Sequence, residues 1–195
     1  MPKLAGFSRP AMTSLRQAVF FDRDGILVEA PVVDGHPKSA RTVEDLILIP
    51  AAVHLCAELA GAGVLLFMIT NQPDISRMKI DPRSVDQQNQ IVAKACQLTA
   101  VRVCPHDDSS GCHCRKPRPG MITDLAKEYS IDLIRSVVVG DRWRDIEAGT
   151  QAGSQTVFVD YGYDERQPAD QTASVRSVEE AATIVKALLN FPAAI

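Results

Sequence analysis

No apolar run in this chain reaches the roughly 18 to 20 residues that a membrane-crossing helix requires. The longest, Val64 to Thr70, has the length of a strand. Met1 to Gln17 holds no apolar stretch of signal-peptide length, so export is not expected. Charge of one sign is not in large excess. Lys and Arg number 21 against 24 Asp and Glu, for a net −3 at pH 7, which gives no reason to expect nucleic acid or a membrane surface as partner. Internal repeats and low-complexity segments are missing. The five cysteines are an odd number, which suits a reducing compartment better than a disulfide framework, and a cytoplasmic location is expected. What is present is ordinary for a globular chain: 195 residues, 46% hydrophobic and 23% charged, enough to bury a sizeable core. Residues 1–17 read as a flexible leader and 18–192 as a single domain, expected to be a monomer.

Short apolar runs alternate with longer amphipathic ones. Ala18–Phe21, Val64–Ile69, Val101–Val103, Val137–Val139 and Thr156–Val159 read as strands. Pro50–Leu59, Ser84–Leu98, Pro119–Tyr129, Ile146–Ala152 and Val178–Leu189 read as helices. The pattern predicts an α/β fold, a doubly wound parallel sheet flanked by helices. In the second helix Val85, Ile91, Val92 and Ala95 are the predicted inward positions. Ala30–Leu46 lacks periodicity, as functional loops of that length often do. Tyr161–Ser174 reads as a second irregular stretch at the surface.

Three polar residues share one placement. Asp22, Thr70 and Asp141 each follow an apolar strand, and in open parallel sheets the ligand crevice lies beyond the carboxyl ends of the strands. An Asp in that position is commonly just a turn or cap residue, but three together point to one convergent site. Asp22 and Asp24 stand two residues apart, close enough to repel and to need a cation or a shared proton. A hard divalent ion such as Mg²⁺ suits them, with Asp141 and Asp145 as further oxygen donors. Gly25 permits the tight backbone that brings the second carboxylate around. Thr70, Asn71 and Lys116 add the hydroxyl, amide and ammonium donors that phosphate oxygens take. A carboxylate can attack phosphorus, and a second can move the proton.

Cys104, Cys112 and Cys114 fall within eleven positions. With His106 they can form a closed tetrahedral zinc site of the structural kind, over a loop 104–114. His113, between two of the cysteines, is the alternative imidazole. Cys56 and Cys96 read as buried small hydrophobes, His54 as a structural helix residue, and Glu179–Glu180 as a solvated helix start. Trp143 either covers the site or packs in the core.

Val19-Phe20-Phe21-Asp22-Arg23-Asp24-Gly25, Met68-Ile69-Thr70-Asn71-Gln72, Lys116 and Val138-Val139-Gly140-Asp141-Arg142 resemble the four ordered motifs of the haloacid dehalogenase superfamily of phosphohydrolases. The stretch from Cys104-Pro105-His106 through Cys112-His113-Cys114-Arg115-Lys116-Pro117 is similar to the zinc loop of one subgroup. That subgroup includes D-glycero-D-manno-heptose 1,7-bisphosphate phosphatase and the histidinol-phosphate phosphatase domain. The resemblance implies a capless, Mg²⁺-dependent phosphatase acting on a small phosphorylated metabolite. It implies Asp22 as nucleophile and Asp24 as general acid/base. Thr70 and Lys116 would hold the transferring phosphoryl group. Mg²⁺ would be bound by Asp22, Asp24 through its carbonyl, and Asp141; Zn²⁺ by Cys104, His106, Cys112 and Cys114. Asn71, Arg115 and Arg142 would bind substrate, Arg115 gripping a second phosphate. His36, Lys38 and Arg41 offer further positive charge in the loop after the first motif, although solvated loop charges are the simpler reading of those three. The chain departs from the heptose pattern at Pro73–Met78, at Pro31–Arg41 and at Arg142, all of which bear on substrate choice. A non-catalytic zinc-stabilised binding module is the other class considered. The intact set Asp22, Asp24, Thr70, Lys116 and Asp141 argues against it.

Overall fold

A computed structural model describes residues 15–191. Most of the expected leader, residues 1–14, lies outside them, as does Pro192. Arg16, within the leader, pairs with Ile131. In chain order the elements are β1 (Ala18–Phe21), β2 (Val32–Val33), β3 (His36–Pro37), α1 (Pro50–Gly61), β4 (Leu65–Asn71), α2 (Pro82–Ala95), β5 (Ala100–Cys104), α3 (Gly120–Tyr129), β6 (Val137–Gly140), α4 (Trp143–Ala152), β7 (Gln155–Val159), β8 (Ala173–Val175) and α5 (Val178–Leu188). Short 3₁₀ turns sit at Asp108–Ser110 and Leu133–Arg135.

Six strands form one parallel sheet in the order β5-β4-β1-β6-β7-β8. β2 and β3 make a separate antiparallel hairpin. Both faces of the large sheet are covered, so its central strands are apolar up to their carboxyl ends. In β1, Val19 and Phe21 join a core with α1, α2 and α5, while Ala18 and Phe20 join the opposite one with α3 and α4. Within the second core Phe20 stacks on Phe67 at 5.3 Å, and Tyr129 meets Phe67 edge-on at 5.1 Å. The chain runs outward from β1 through β4 to β5, then returns to the other side of β1 as β6. The reversal leaves a crevice beyond the ends of β1 and β6, the place where such sheets bind ligands.

The structure differs from the sequence-based expectation in a few elements. Thr70 and Asn71 are the last residues of β4, paired with Val103 and Cys104, rather than lying past it. Helix α4 starts at Trp143, three residues before Ile146, because Asp145 Oδ2 accepts from the Arg142 backbone N–H at 3.1 Å and caps the first turn. The 161–174 stretch ends in the beginning of edge strand β8, and only Val175 of that strand is buried. Ile91 points outward, 40% exposed. The inward face of α2 is instead Val85, Gln88, Asn89 and Val92, and Asn89 is polar for a reason found at the site. Trp143 neither packs in the core nor lines the crevice. The guanidinium groups of Arg144 and Arg166 lie over its ring, 4.7 and 4.5 Å from the centroid.

Candidate active site

Asp22 leaves β1 and Asp141 leaves β6. Neighbouring parallel strands in register, Phe21 beside Val139, therefore bring the two carboxylates together. Lys116 enters from the loop after residue 114, and its ammonium fills the crevice. It donates to Asp22 Oδ1 at 2.7 Å, to the Ile69 carbonyl at 2.8 Å, and pairs with Asp145 Oδ1 at 2.6 Å. All four ionisable groups are buried, where charge is costly unless paired.

Burial, opposed by Lys116, pushes Asp22 up to about 7. Burial and then the neighbouring charges of Asp22 and Asp145 push Asp141 well above the usual carboxylate range. Burial works against the Lys116 charge, but Asp145 and Asp22 overcome it and hold the ammonium protonated well above its ordinary range. Asp22, Asp141 and Asp145 each place an oxygen within 4.8 Å of the others. With all three carboxylates ionised, one ammonium would leave negative charge uncompensated, which is why Asp22 and Asp141 hold their protons more tightly than usual, and Asp141 Oδ1 is buried with no hydrogen-bond partner. An orphaned oxygen and uncompensated charge are what a divalent cation would answer. The donor set, all oxygen, fits Mg²⁺.

Gly25 makes this approach possible. Its φ is +83°, and a Cβ there would lie 2.0 Å from Asp141 Oδ2. The Tyr163 hydroxyl donates to that same oxygen at 2.7 Å, and the Tyr161 hydroxyl donates to the Gly25 carbonyl at 3.0 Å.

Asp24 stands apart from the carboxylate trio. Its oxygens accept from Ser39 Oγ and Gln72 Nε2, both at 2.9 Å, and from Arg23 at 3.2 Å. Arg23 is fully buried, and its Nη1 donates to Asn89 Oδ1 at 3.1 Å. That partnership explains a polar residue on the inner face of α2. Gln72 Nε2 also donates to Thr70 Oγ1 at 2.9 Å, which links Thr70 and Asp24. A cavity of about 60 Å³ is lined by Asp22, Asp24, Thr70, Asn71, Lys116 and Asp145, with Arg142 and Arg144 at its edge.

The residues read as substrate-binding are placed differently from one another. Asn71 reaches the cavity wall but uses its amide on Lys116, accepting from the backbone N–H at 3.1 Å and donating to the carbonyl at 3.0 Å. Arg115 does not line the cavity. It is buried, donating to Asp108 Oδ1 at 2.8 Å and to the His106 carbonyl at 3.0 Å. Arg142 lines the cavity and is gripped by both oxygens of Glu165, at 2.8 and 2.7 Å. Sequence reasoning missed Arg144, Tyr163, Gln72, Asn89 and the role of buried Arg23. Only the invariably charged Arg23 between two site carboxylates carried a signal that it needed partners.

The cysteine loop gathers its four donors as a compact group. Cys104 Sγ lies 3.7 Å from Cys112 Sγ and 3.3 Å from Cys114 Sγ, and His106 Nδ1 lies 3.6 and 3.5 Å from Cys104 and Cys114. His113 faces the other way and meets Asp124 at 2.9 Å, with a 73% exposed side chain. Burial pushes the Cys104 thiol up to about 12. Three sulfurs and a nitrogen are a donor set for Zn²⁺ rather than Mg²⁺.

Comparison with known proteins places this geometry. A HAD-hydrolase-like family model matches residues 113–189. The D-glycero-beta-D-manno-heptose-1,7-bisphosphate 7-phosphatase of Bordetella bronchiseptica is 32% identical over 149 residues, covering 74% of this chain and 80% of that one. This chain belongs to the haloacid dehalogenase-like phosphatases. The family member of the same name from Photorhabdus laumondii is 30% identical over 197 residues, spanning 94% of this chain and 97% of its own. The crystal structure of D,D-heptose 1,7-bisphosphate phosphatase from B. bronchiseptica, complexed with magnesium and phosphate, superposes with a TM-score of 0.74. It is 26% identical and covers 86% of this chain and 97% of that one. The chain carries this site at the carboxyl edge of its parallel sheet. No helix among the described residues is long and apolar enough to cross a membrane.

Proposed function

We propose that the protein is a Mg²⁺-dependent sugar-phosphate phosphatase working through a phosphorylated Asp22, and that its substrate is heptose 1,7-bisphosphate, converted to heptose 1-phosphate. The observation that carries the reading is the buried cluster at the ends of β1 and β6, where Asp22, Asp141 and Asp145 bring their oxygens together, Lys116 pairs with two of them, and Asp141 Oδ1 has no partner. Relatives named for this heptose reaction, aligned over most of the chain, support the substrate.

Asp22, Asp141 and the carbonyl of Asp24 would hold the Mg²⁺, which supplies charge neutralisation between the phosphate and the carboxylates. The Asp22 carboxylate attacks phosphorus, and the bond to the sugar oxygen breaks. Lys116 and Thr70 hold the phosphoryl oxygens as negative charge develops. Asp24 gives its proton to the departing sugar oxygen, then takes one from the water that attacks the phosphoryl group. The bond from phosphorus to Asp22 then breaks and free phosphate leaves. Cys104, His106, Cys112 and Cys114 would hold a structural Zn²⁺ that shapes the loop delivering Lys116.

Asp22→Asn should abolish turnover, with a loss well beyond the roughly 10²- to 10⁴-fold typical of a lost acid/base group. A phosphate-release screen of wild type and variant over phosphorylated sugars and histidinol phosphate tests both parts. Near-normal turnover by the variant rules out the covalent route. Preference for histidinol phosphate replaces the heptose substrate and leaves the phosphatase in place.

A further inference from the structure

The catalytic cavity continues into a larger groove of about 320 Å³, and the two share Pro37, Ser39, Asn71 and Arg142. One wall is the segment Pro37–Arg41, the other the turn from Gln72 to Ile80. Its charges are unequal. Arg77 is paired with Asp74 and Asp107, and Arg142 with Glu165. That pairing also answers Asp74, the groove's carboxylate. Lys38, Arg41 and Lys79 are exposed and form no ion pair among the described residues. Three positive charges therefore face a groove that opens onto the reacting centre.

These cations are not on free loops. Ser39 Oγ from one wall and Gln72 Nε2 from the other both donate to Asp24 Oδ2, each at 2.9 Å. Ser84 of α2 donates to the Arg41 carbonyl at 3.2 Å. The opposite turn is closed by backbone bonds from Arg77 to Pro73 at 3.1 Å and from Lys79 to Asp74 at 2.8 Å. Both walls are thus fixed to the carboxylate that would move the proton. Arg115, expected from the sequence to grip a second phosphate, has its guanidinium engaged by Asp108 and the His106 carbonyl instead.

We propose that this groove is a second anion subsite, formed by Lys38, Arg41 and Lys79, that holds the phosphate not being transferred. The proposal rests on the phosphatase reading and adds where specificity for a doubly phosphorylated substrate resides. Charge-assisted contacts of this kind discriminate strongly against an analogue lacking the charged group.

The test compares heptose 1,7-bisphosphate with heptose 7-phosphate as substrates of the Mg²⁺-loaded protein and of its Lys38→Ala/Arg41→Ala/Lys79→Ala variant. Wild type should prefer the bisphosphate by about tenfold or more in kcat/KM. The triple variant should lose most of that preference through KM, with turnover of the 7-phosphate unchanged and the melting temperature preserved. An unchanged preference in the variant, equal losses on both substrates, or a wild type with no preference overturns the subsite. If neither compound releases phosphate, the catalytic reading fails separately. The groove is then judged by titrating inorganic phosphate into Asp22→Asn. Salt-sensitive binding that the three further substitutions remove supports it; equal binding with and without them, or no binding, overturns it.

Discussion

Asp141 is buried, carries one oxygen without a partner, and receives the Tyr163 hydroxyl on the other. That single hydrogen bond holds Oδ2 beside Gly25 and leaves Oδ1 as the oxygen without a partner. Partners of this sort commonly contribute about 10- to 100-fold to metal affinity. Tyr163→Phe should therefore weaken Mg²⁺ binding, measured by calorimetry on the resting protein, by about that factor, while KM at saturating Mg²⁺ stays near wild type. Unaltered Mg²⁺ affinity would show that packing around Gly25 alone orients the carboxylate. Tyr163 was not legible in the sequence, because it lies 22 residues beyond its partner in a polar stretch without periodicity. Asp22, Thr70 and Asp141 were legible because each stands at the end of an unmistakably apolar strand, and Asp24 because it lies two residues past Asp22. The supporting shell of Gln72, Asn89 and Glu165 was not. These are common surface residue types, and only the fold reveals that buried or half-buried charges claim them.

At the scale of elements, the segment from β5 to α3 has little regular structure, yet it must deliver Lys116 into a buried site. The four donors at Cys104, His106, Cys112 and Cys114 give that segment a means of holding its shape. One zinc per chain is expected by metal analysis of protein purified without chelator, and Cys112→Ser/Cys114→Ser should lose it. Because a buried thiol at about 12 must release its proton to bind metal, zinc uptake should liberate protons and strengthen with pH. A lower melting temperature and a large fall in kcat should accompany zinc loss, since Lys116 is two residues from Cys114. Unchanged zinc content in the double variant would contradict the ligand set. The central strands and the long helices were readable from hydrophobic runs. Edge strand β8 was not, having one buried side chain. Nor was the first turn of α4, which is set by the Asp145 cap rather than by an apolar stripe.

Across the whole molecule, the sheet order draws like charges into one crevice, and this sets a pH dependence. Asp22 sits at about 7 when folded without metal and near the ordinary carboxylate value when unfolded. The folded state therefore binds this proton more tightly, so the metal-free protein loses stability as pH rises from about 4 to about 7. Mg²⁺ favours the ionised carboxylate and opposes that loss. The gain in melting temperature on adding Mg²⁺ should be small near pH 5 and grow through pH 7.5, as followed by thermal denaturation. A gain independent of pH would mean that Asp22 is already ionised throughout that window in the resting protein.

The buried cluster and the groove cations differ in where they are anchored. Asp22, Thr70, Lys116 and Asp141 are buried at the sheet edge, whereas Lys38, Arg41 and Lys79 stand exposed on its flanking loops. Replacing a buried charged residue with paired neighbours strands those neighbours, while exchanging an exposed one usually changes stability by no more than about half a kcal/mol. Mutational tolerance is thus divided between the two halves of one site. A lineage carrying this fold can exchange the loop cations, and with them the molecules it accepts, without endangering the chemistry or the core. Descendants of such a scaffold should differ most in diet and least in reaction.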